Sequence, residues 1–100
     1  MASNYYDKNW NKKGSSSKGR NGSTNYYDRN GRKTGISKPG LFNNTNYYDR
    51  NGKYTGCSYD GLISRSYYNR NGKKTGYSIK GCFGQTIYYD AKGRKKGYKV

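Results

Sequence analysis

The sequence contains no histidine and no glutamate, and its only acidic residues are five aspartates. Most general acid–base catalysis and most metal coordination use side chains that are missing here, so we expect neither an enzyme nor a bound metal or cofactor. No apolar run approaches the roughly 20 residues that a membrane-spanning helix needs. The first residues also lack the apolar segment of a secretory signal. The composition therefore predicts a cytoplasmic protein without a membrane partner.

Apolar side chains are scarce as well, since Leu, Ile, Val and Phe together number only nine among 100 residues. The chain carries 21 Lys and Arg, and its formal net charge is +16. Few apolar residues and high net charge are typical of disordered chains. The 14 tyrosines oppose that interpretation, because a tyrosine ring buries a large apolar area and keeps a polar tip. We therefore expect one small folded domain over residues 1–100.

Five repeated units are the strongest feature of the sequence. Each begins with two adjacent aromatic residues followed by Asp or Asn, and successive units are offset by 21, 21, 20 and 21 residues. The pairs are Tyr5-Tyr6, Tyr26-Tyr27, Tyr47-Tyr48, Tyr67-Tyr68 and Tyr88-Tyr89. A second segment ending in Gly follows each pair. The spacing predicts hairpin units near residues 4–16, 25–37, 46–58, 66–78 and 87–99.

The second unit shows why each repeat is expected to be a β-hairpin. Its Tyr-Tyr-Asp-Arg-Asn-Gly segment at 26–31 places strand-forming rings before a tight turn. Asp28 suits the first turn position, where it accepts backbone N–H groups, and Gly31 suits a left-handed bulge. Trp10 replaces the turn glycine in the first unit and Lys92 replaces the turn Asn in the last. We therefore expect these two end turns to be the least regular.

The predicted fold class is all-β, with five tandem β-hairpin repeats. The hairpins are expected to close into a small barrel or propeller-like ring, or to wind into a short β-solenoid. Because side chains alternate between the two faces of a strand, one tyrosine of each pair should enter a shared core. The sequence does not distinguish which. The linker residues Leu41 and Phe42, and their equivalents, are expected to join that core.

The motif Tyr-Tyr-Asp-x-Asn-Gly-Lys-x-Thr-Gly-x-Ser resembles short aromatic–glycine repeats of uncharacterised bacterial and phage proteins. This resemblance covers almost the whole chain and implies hairpin repeats, but it implies no particular activity. The repeats are also loosely similar to choline-binding and glucan-binding repeats. Those families use tryptophan in their ligand cages, whereas this sequence has one tryptophan.

Positive charge is the main functional signal. Fifteen of the 21 cations lie in or just after the predicted turns. Because the repeats place them at equivalent points, they should form one basic surface, which is typical of a protein that binds nucleic acid. The predicted nucleic-acid-binding residues are Arg29, Arg32, Lys33, Arg50, Lys53, Arg70, Lys73, Lys74, Arg94 and Lys95. Binding is expected to use phosphate contacts, with little sequence specificity.

Two other functions remain open. The basic surface could dock on an acidic protein, as an inhibitor or as a component of an assembly. Alternatively, the tyrosine-rich repeats could bind an anionic glycopolymer or a carbohydrate of the cell wall. The choice between DNA and RNA and the oligomeric state are also left open.

The aspartates and cysteines are expected to be structural. Four of the five aspartates occupy one repeat position, where Asn69 stands in the fourth unit. A residue that exchanges with Asn inside one chain is more typical of a turn than of a catalytic base. Cys57 and Cys82 are predicted to be buried, reduced thiols, and a disulfide between them is the alternative that the sequence leaves open.

Overall fold

The structure is a computed structural model that describes residues 2–81 and 83–100. Cys82 lies outside these residues, so its burial stays a prediction. The ten strands are β1 (Ala2–Asp7), β2 (Lys12–Lys18), β3 (Thr24–Asp28), β4 (Lys33–Pro39), β5 (Asn44–Asp49), β6 (Tyr54–Asp60), β7 (Ser64–Asn69), β8 (Lys74–Lys80), β9 (Thr86–Asp90) and β10 (Lys95–Lys99). A single 3-10 turn at Arg20–Gly22 follows β2. None of the described residues belongs to a helix with the length and apolarity required to cross a membrane.

The ten strands form one closed antiparallel barrel. Each strand pairs with the next along the chain, and β10 returns to pair with β1 through the register Tyr6 opposite Tyr98. Backbone hydrogen bonds of 2.9 and 2.8 Å between Asn4 and Val100 extend this last pairing. The structure confirms the all-β hairpin prediction, and among the predicted arrangements it adopts the barrel.

The barrel has two ends that differ in their connections. Since every strand reverses direction, the five hairpin turns all lie at one end, and the other four connections, β2–β3, β4–β5, β6–β7 and β8–β9, lie at the opposite end. We call these the turn end and the linker end. The five turns span residues 8–11, 29–32, 50–53, 70–73 and 91–94.

The first tyrosine of each pair points into the barrel. These five rings are neighbours around a closed circle, with centroids 6.1 to 6.4 Å apart. The members of this inner ring are Tyr5, Tyr26, Tyr47, Tyr67 and Tyr88. The tyrosines thus supply the shared core that aliphatic side chains form in most small domains.

Hydroxyl groups from the returning strands complete the inner ring. The Tyr47 hydroxyl lies 2.9 Å from Ser58 Oγ, and three other units contain the same pair at 3.1 Å. In the fifth unit Lys99 occupies the serine position, eleven residues after Tyr88. Burial raises the pKa of all five ring tyrosines above the ordinary value of 10.0, because the charged phenolate is poorly solvated inside the barrel.

Glycines next to the inner ring allow neighbouring strands to approach closely. A Cβ atom on Gly35 would lie 2.4 Å from the carbonyl oxygen of Tyr48, which is backbone on the adjacent strand. The same clash, at 2.2 to 2.4 Å, recurs at Gly14, Gly35, Gly56, Gly76 and Gly97. The repeated glycine therefore permits a strand contact that any side chain would block.

The second tyrosine of each pair lies on the outer wall, and in four of the five units another of the described aromatic residues contacts it. Tyr89 stacks on Tyr77 with ring centroids 5.1 Å apart. Tyr68 makes an edge contact with Tyr59 at 5.7 Å, and Cys57 lies opposite Tyr68 as a buried free thiol. Cys57 is thus buried as predicted, although it belongs to the outer wall.

The predicted contribution of the linkers to the core is wrong. Leu41 and Phe42 are 78% and 91% exposed, and Leu62, Ile63 and Phe83 are exposed as well. These side chains lie beyond the strands, and Phe42 has left-handed backbone geometry with φ 55°. Because the tyrosine ring already forms the core, and polar and cationic side chains line the space between it and the linkers, the linker residues have no apolar interior to enter.

Candidate nucleic-acid interface

The turn end is built from one turn geometry used repeatedly. In the second unit, the Gly31 amide donates to the Asp28 carbonyl at 3.0 Å, and the Asp28 amide donates to the Arg32 carbonyl at 2.8 Å. Gly31 has φ +84°, which a residue without a Cβ adopts at little cost. This is the predicted tight turn with a left-handed glycine bulge.

The aspartate that precedes each turn holds it in place. Asp28 Oδ1 accepts the backbone amides of Asn30 and Arg32, at 2.9 and 3.0 Å. Asn69 accepts the equivalent two amides in the fourth turn, so a neutral oxygen is sufficient. The carboxyl groups in this position are therefore turn formers, and these backbone N–H donors lower the pKa of Asp7 and Asp90.

The two end turns are more regular than predicted. Trp10 adopts φ 68° in place of the usual glycine, and the Asp7 carbonyl still accepts the Trp10 amide at 3.0 Å. Its indole stacks on Tyr98, with centroids 4.0 Å apart and planes 10° from parallel. This contact offsets part of the strain of a left-handed non-glycine residue. Asp90 likewise accepts the amide of Lys92 in the last turn at 2.9 Å.

All ten predicted binding residues lie in the turns or within the first residues of the returning strands, and all are exposed. Arg29, Arg50 and Arg70 occupy the same position in three successive turns. The residue after each bulge glycine is also cationic in four units, as Arg32, Lys53, Lys73 and Arg94. The fold therefore brings the predicted cations to one end of the barrel.

Three of the ten cations have partners on the protein. Arg94 Nε lies 3.0 Å from Asp90 Oδ2. The ammonium groups of Lys74 and Lys95 lie 5.5 and 5.1 Å above the rings of Tyr77 and Tyr98. Within the part of the chain that the structure describes, the equivalent turn arginines Arg29 and Arg50 form no ion pair. Those two guanidinium groups are available to an external anion.

Sequence reasoning missed a second basic cluster, at the linker end of the barrel, in which Arg65 and Lys99 are half-buried and Lys18 and Lys80 are exposed. Four cations occupy inward-facing register positions there: Lys18, Arg65, Lys80 and Lys99. The sequence does show this cluster as departures from the repeat, because Lys99 stands where four units have serine. Arg65 stands where the other units have Ser or Thr.

The geometry of this cluster is set by strand register. Thr86 on β9 faces Lys80 on β8 and Lys99 on β10, so the three side chains lie in one row across three strands. Arg65 pairs with Asp60 on the neighbouring strand, with Nε 2.5 Å from Oδ1. Burial lowers the pKa of Lys99, and the positive charges of Arg65, Lys80 and Lys18 lower it further. Four cations thus face a single carboxylate within one lumen.

Comparison of the chain with protein-family models, with curated proteins and with solved structures gives no match. The resemblance of the repeat motif to aromatic–glycine repeats stays a prediction.

Proposed function

We propose that the protein binds nucleic acid through the turn end, by contacts to phosphates and with little sequence preference. The observation that supports this most is the distribution of charge: fifteen of the 21 cations lie in or directly after the five turns. A surface charge that is concentrated at one end of a small domain attracts a polyanion far more strongly than a dispersed one.

The acidic residues of the turn end do little to neutralise it. Four aspartates lie there, and each uses a carboxylate oxygen to accept backbone N–H groups of its own turn. Among the described residues, Asp90 is the one turn aspartate with a cationic side-chain partner, Arg94. The carboxylates thus shape the turns while most of the surrounding cations stay available to phosphates.

Aromatic rings close to these cations favour single-stranded over duplex nucleic acid. Trp10 is 51% exposed in the first turn and stacks on Tyr98, whose hydroxyl contacts the Lys95 ammonium at 3.0 Å. Unpaired bases stack on such rings, and each stack contributes about 1–3 kcal/mol. We therefore propose Trp10 as a contact for unpaired bases beside the phosphate-binding arginines.

The direct test is a fluorescence-anisotropy titration with labelled single-stranded DNA, single-stranded RNA and duplex DNA across a range of salt concentrations. If six phosphates are neutralised on a duplex, log affinity should fall against log salt with a slope of about −5. The longest extent of the molecule is 31 Å, which limits the duplex that it covers to about 18 phosphate charges. Affinity that is independent of salt would contradict the proposal.

A matched pair of variants separates the turn end from general charge. The triple substitution Arg29→Ser, Arg50→Ser and Arg70→Ser removes three turn cations, and Arg20→Ser, Lys38→Ser and Lys80→Ser removes three from elsewhere. Both variants lose the same formal charge. We expect the first to weaken binding by at least tenfold and to reduce the salt slope, and the second to have a clearly smaller effect. Equal losses would disprove a localised interface.

A second candidate function is docking on an acidic protein, and the exposed linker residues favour it. Leu41, Phe42, Leu62 and Ile63 are each at least 78% exposed at the linker end. Protein interfaces combine apolar centres with a polar rim rich in arginine, whereas a nucleic-acid surface needs no such apolar cluster. Affinity capture before and after nuclease treatment discriminates the two functions: partners lost on digestion favour nucleic acid, and acidic proteins that remain favour docking.

A further inference from the structure

The part of the linker-end lumen that lies beside Asp60, Arg65 and Lys99 forms a cavity of about 410 Å³. This volume lies within the range of cavities that hold small molecules, about 300–1,000 Å³. Arg65, Lys80 and Lys99 line it, together with the side chains of Thr86 and Tyr88. The tyrosine ring lies beneath these groups, and the linker residues Leu62 and Ile63 lie at its mouth.

The cations of this cavity are held together without enough negative charge to balance them. The carboxylate in its lining belongs to Asp60, which is already paired with Arg65. Lys99 is half-buried beside Arg65, Lys80 and Lys18, and no described carboxylate pairs with it. Like charges placed together in a partly buried site repel each other, and a bound anion relieves that repulsion.

Neutral hydrogen-bond donors complete the site. The Thr86 side chain lies in the same strand row as Lys80 and Lys99. The Tyr88 hydroxyl lacks the serine partner of the other four ring tyrosines, because Lys99 takes that position. Ammonium, guanidinium and hydroxyl groups that converge on one cavity suit the several oxygens of a phosphate group.

We propose that the linker-end lumen is a binding site for a small phosphate anion, held by Lys99, Lys80 and Arg65. The ligand is either a free inorganic phosphate species or the phosphate group of a small ester. The site is distinct from the turn end and does not depend on nucleic-acid binding there.

The repeats themselves supply substitutions that suit the fold. Lys99→Ser restores the residue that four other units contain at this position, and Arg65→Thr restores the residue of Thr24 and Thr45. Both variants should therefore keep the barrel, which circular dichroism and the unfolding midpoint in urea check. The control is Arg29→Ser with Arg50→Ser, which removes two positive charges from the opposite end.

The experiment is isothermal titration calorimetry with inorganic pyrophosphate, and separately with glucose 6-phosphate, at fixed ionic strength. We expect one site per chain for at least one probe, and a loss of affinity of at least tenfold in Lys99→Ser with Arg65→Thr. The double variant at the turn end should change affinity by less than twofold. Preference for pyrophosphate identifies a free inorganic species, and preference for glucose 6-phosphate identifies an ester.

Two results would overturn the proposal. One is the absence of saturable binding by the unaltered protein to both probes. The other is an equal loss of affinity in the turn-end control, which would show attraction to the whole positive surface. The lumen variants should also keep their affinity for oligonucleotides, so failure of this site and failure of the nucleic-acid proposal are distinguishable.

Discussion

The two ends of the barrel differ in how closely the five units repeat each other. At the turn end all five units repeat the same turn, including the first, where Trp10 replaces glycine. At the linker end the units differ: one linker contains a 3-10 turn, others expose apolar pairs, and the inner face changes from hydroxyl side chains to Arg65 and Lys99. At the turn end, the repeated residues form the turns and a basic surface. At the linker end, the residues that depart from the repeat line a cavity that lacks the fivefold repetition of the turns.

Alkaline unfolding should give the largest effect, because it acts on the inner ring that all five units share. Each ring tyrosine has a raised pKa when folded, so its stabilising effect is present below the unfolded value of 10.0 and is lost as pH rises above it. The free energy of unfolding should fall by at most about 1.4 kcal/mol per pH unit for each ring. Urea unfolding at a series of pH values, with phenolate absorbance, measures this.

The matched variant for the alkaline experiment is Tyr88→Phe. It removes one titrating hydroxyl without breaking a tyrosine–serine pair, so the barrel should remain and the pH dependence above 10 should become shallower. An unchanged pH dependence would show that the ring tyrosines do not control alkaline unfolding.

Gly35→Ala tests the close strand approach beside the ring. The added Cβ would meet the Tyr48 carbonyl oxygen, and backbone on both strands would have to move. We expect the free energy of unfolding to fall by about 1–3 kcal/mol. Gly31→Asn is the control, because nothing lies within 4 Å of a Cβ added at position 31, and Asn tolerates left-handed backbone geometry. A larger loss in the control would contradict the steric explanation.

Each turn aspartate should contribute less to the free energy of unfolding than the close strand approach at Gly35. Asp49→Ala removes the acceptor of two backbone amides, at 2.9 and 3.0 Å, and should cost about 1 kcal/mol in urea unfolding. Asp49→Asn should cost much less, because Asn69 already makes the same bonds. Equal costs would mean that the charge, and not the oxygen, holds the turn.

The same turn aspartates determine how the free energy of unfolding depends on pH in acid. The pKa values of Asp7 and Asp90 are lowered by backbone N–H donors, so their stabilising effect is present above the unfolded value of 3.8 and is lost as pH falls below it. Asp90→Asn should therefore reduce the loss of stability in acid. Urea midpoints measured between pH 2 and 6, about the range in which carboxyl groups titrate, test this.

The smallest effect is expected at the linker end. Phe42→Ser changes a side chain that is 91% exposed, so the free energy of unfolding should change by no more than about 0.5 kcal/mol. The same urea experiment measures it. A loss above about 1 kcal/mol would show that the linkers contribute to the core and would remove the contrast between the ends.

Local chemistry made the turn end predictable. Asp28 and Gly31 each have one favourable role in a tight turn, so their spacing specifies both the turn and the position of the cations. The inward tyrosine was not predictable, because strand alternation places Tyr26 and Tyr27 on opposite faces without saying which face is enclosed. The exposure of Leu41 was missed because hydrophobicity alone does not show that tyrosines already form the core. Lys99 was a visible departure from the repeat, but its approach to Arg65 depends on closure of the barrel.

The circle of tyrosines also means that the number of units determines the width of the barrel. Neighbouring rings lie 6.1 to 6.4 Å apart all the way around, so every unit contributes an equal arc. Five such arcs place the axis about 5 Å from each ring centroid, and barrel diameter grows with strand number. A chain of six equivalent units would keep its side-by-side contacts and gain a wider aperture. Duplication or loss of one 21-residue unit would thus change the width of the barrel, while each hairpin keeps its own turn and strand pairing.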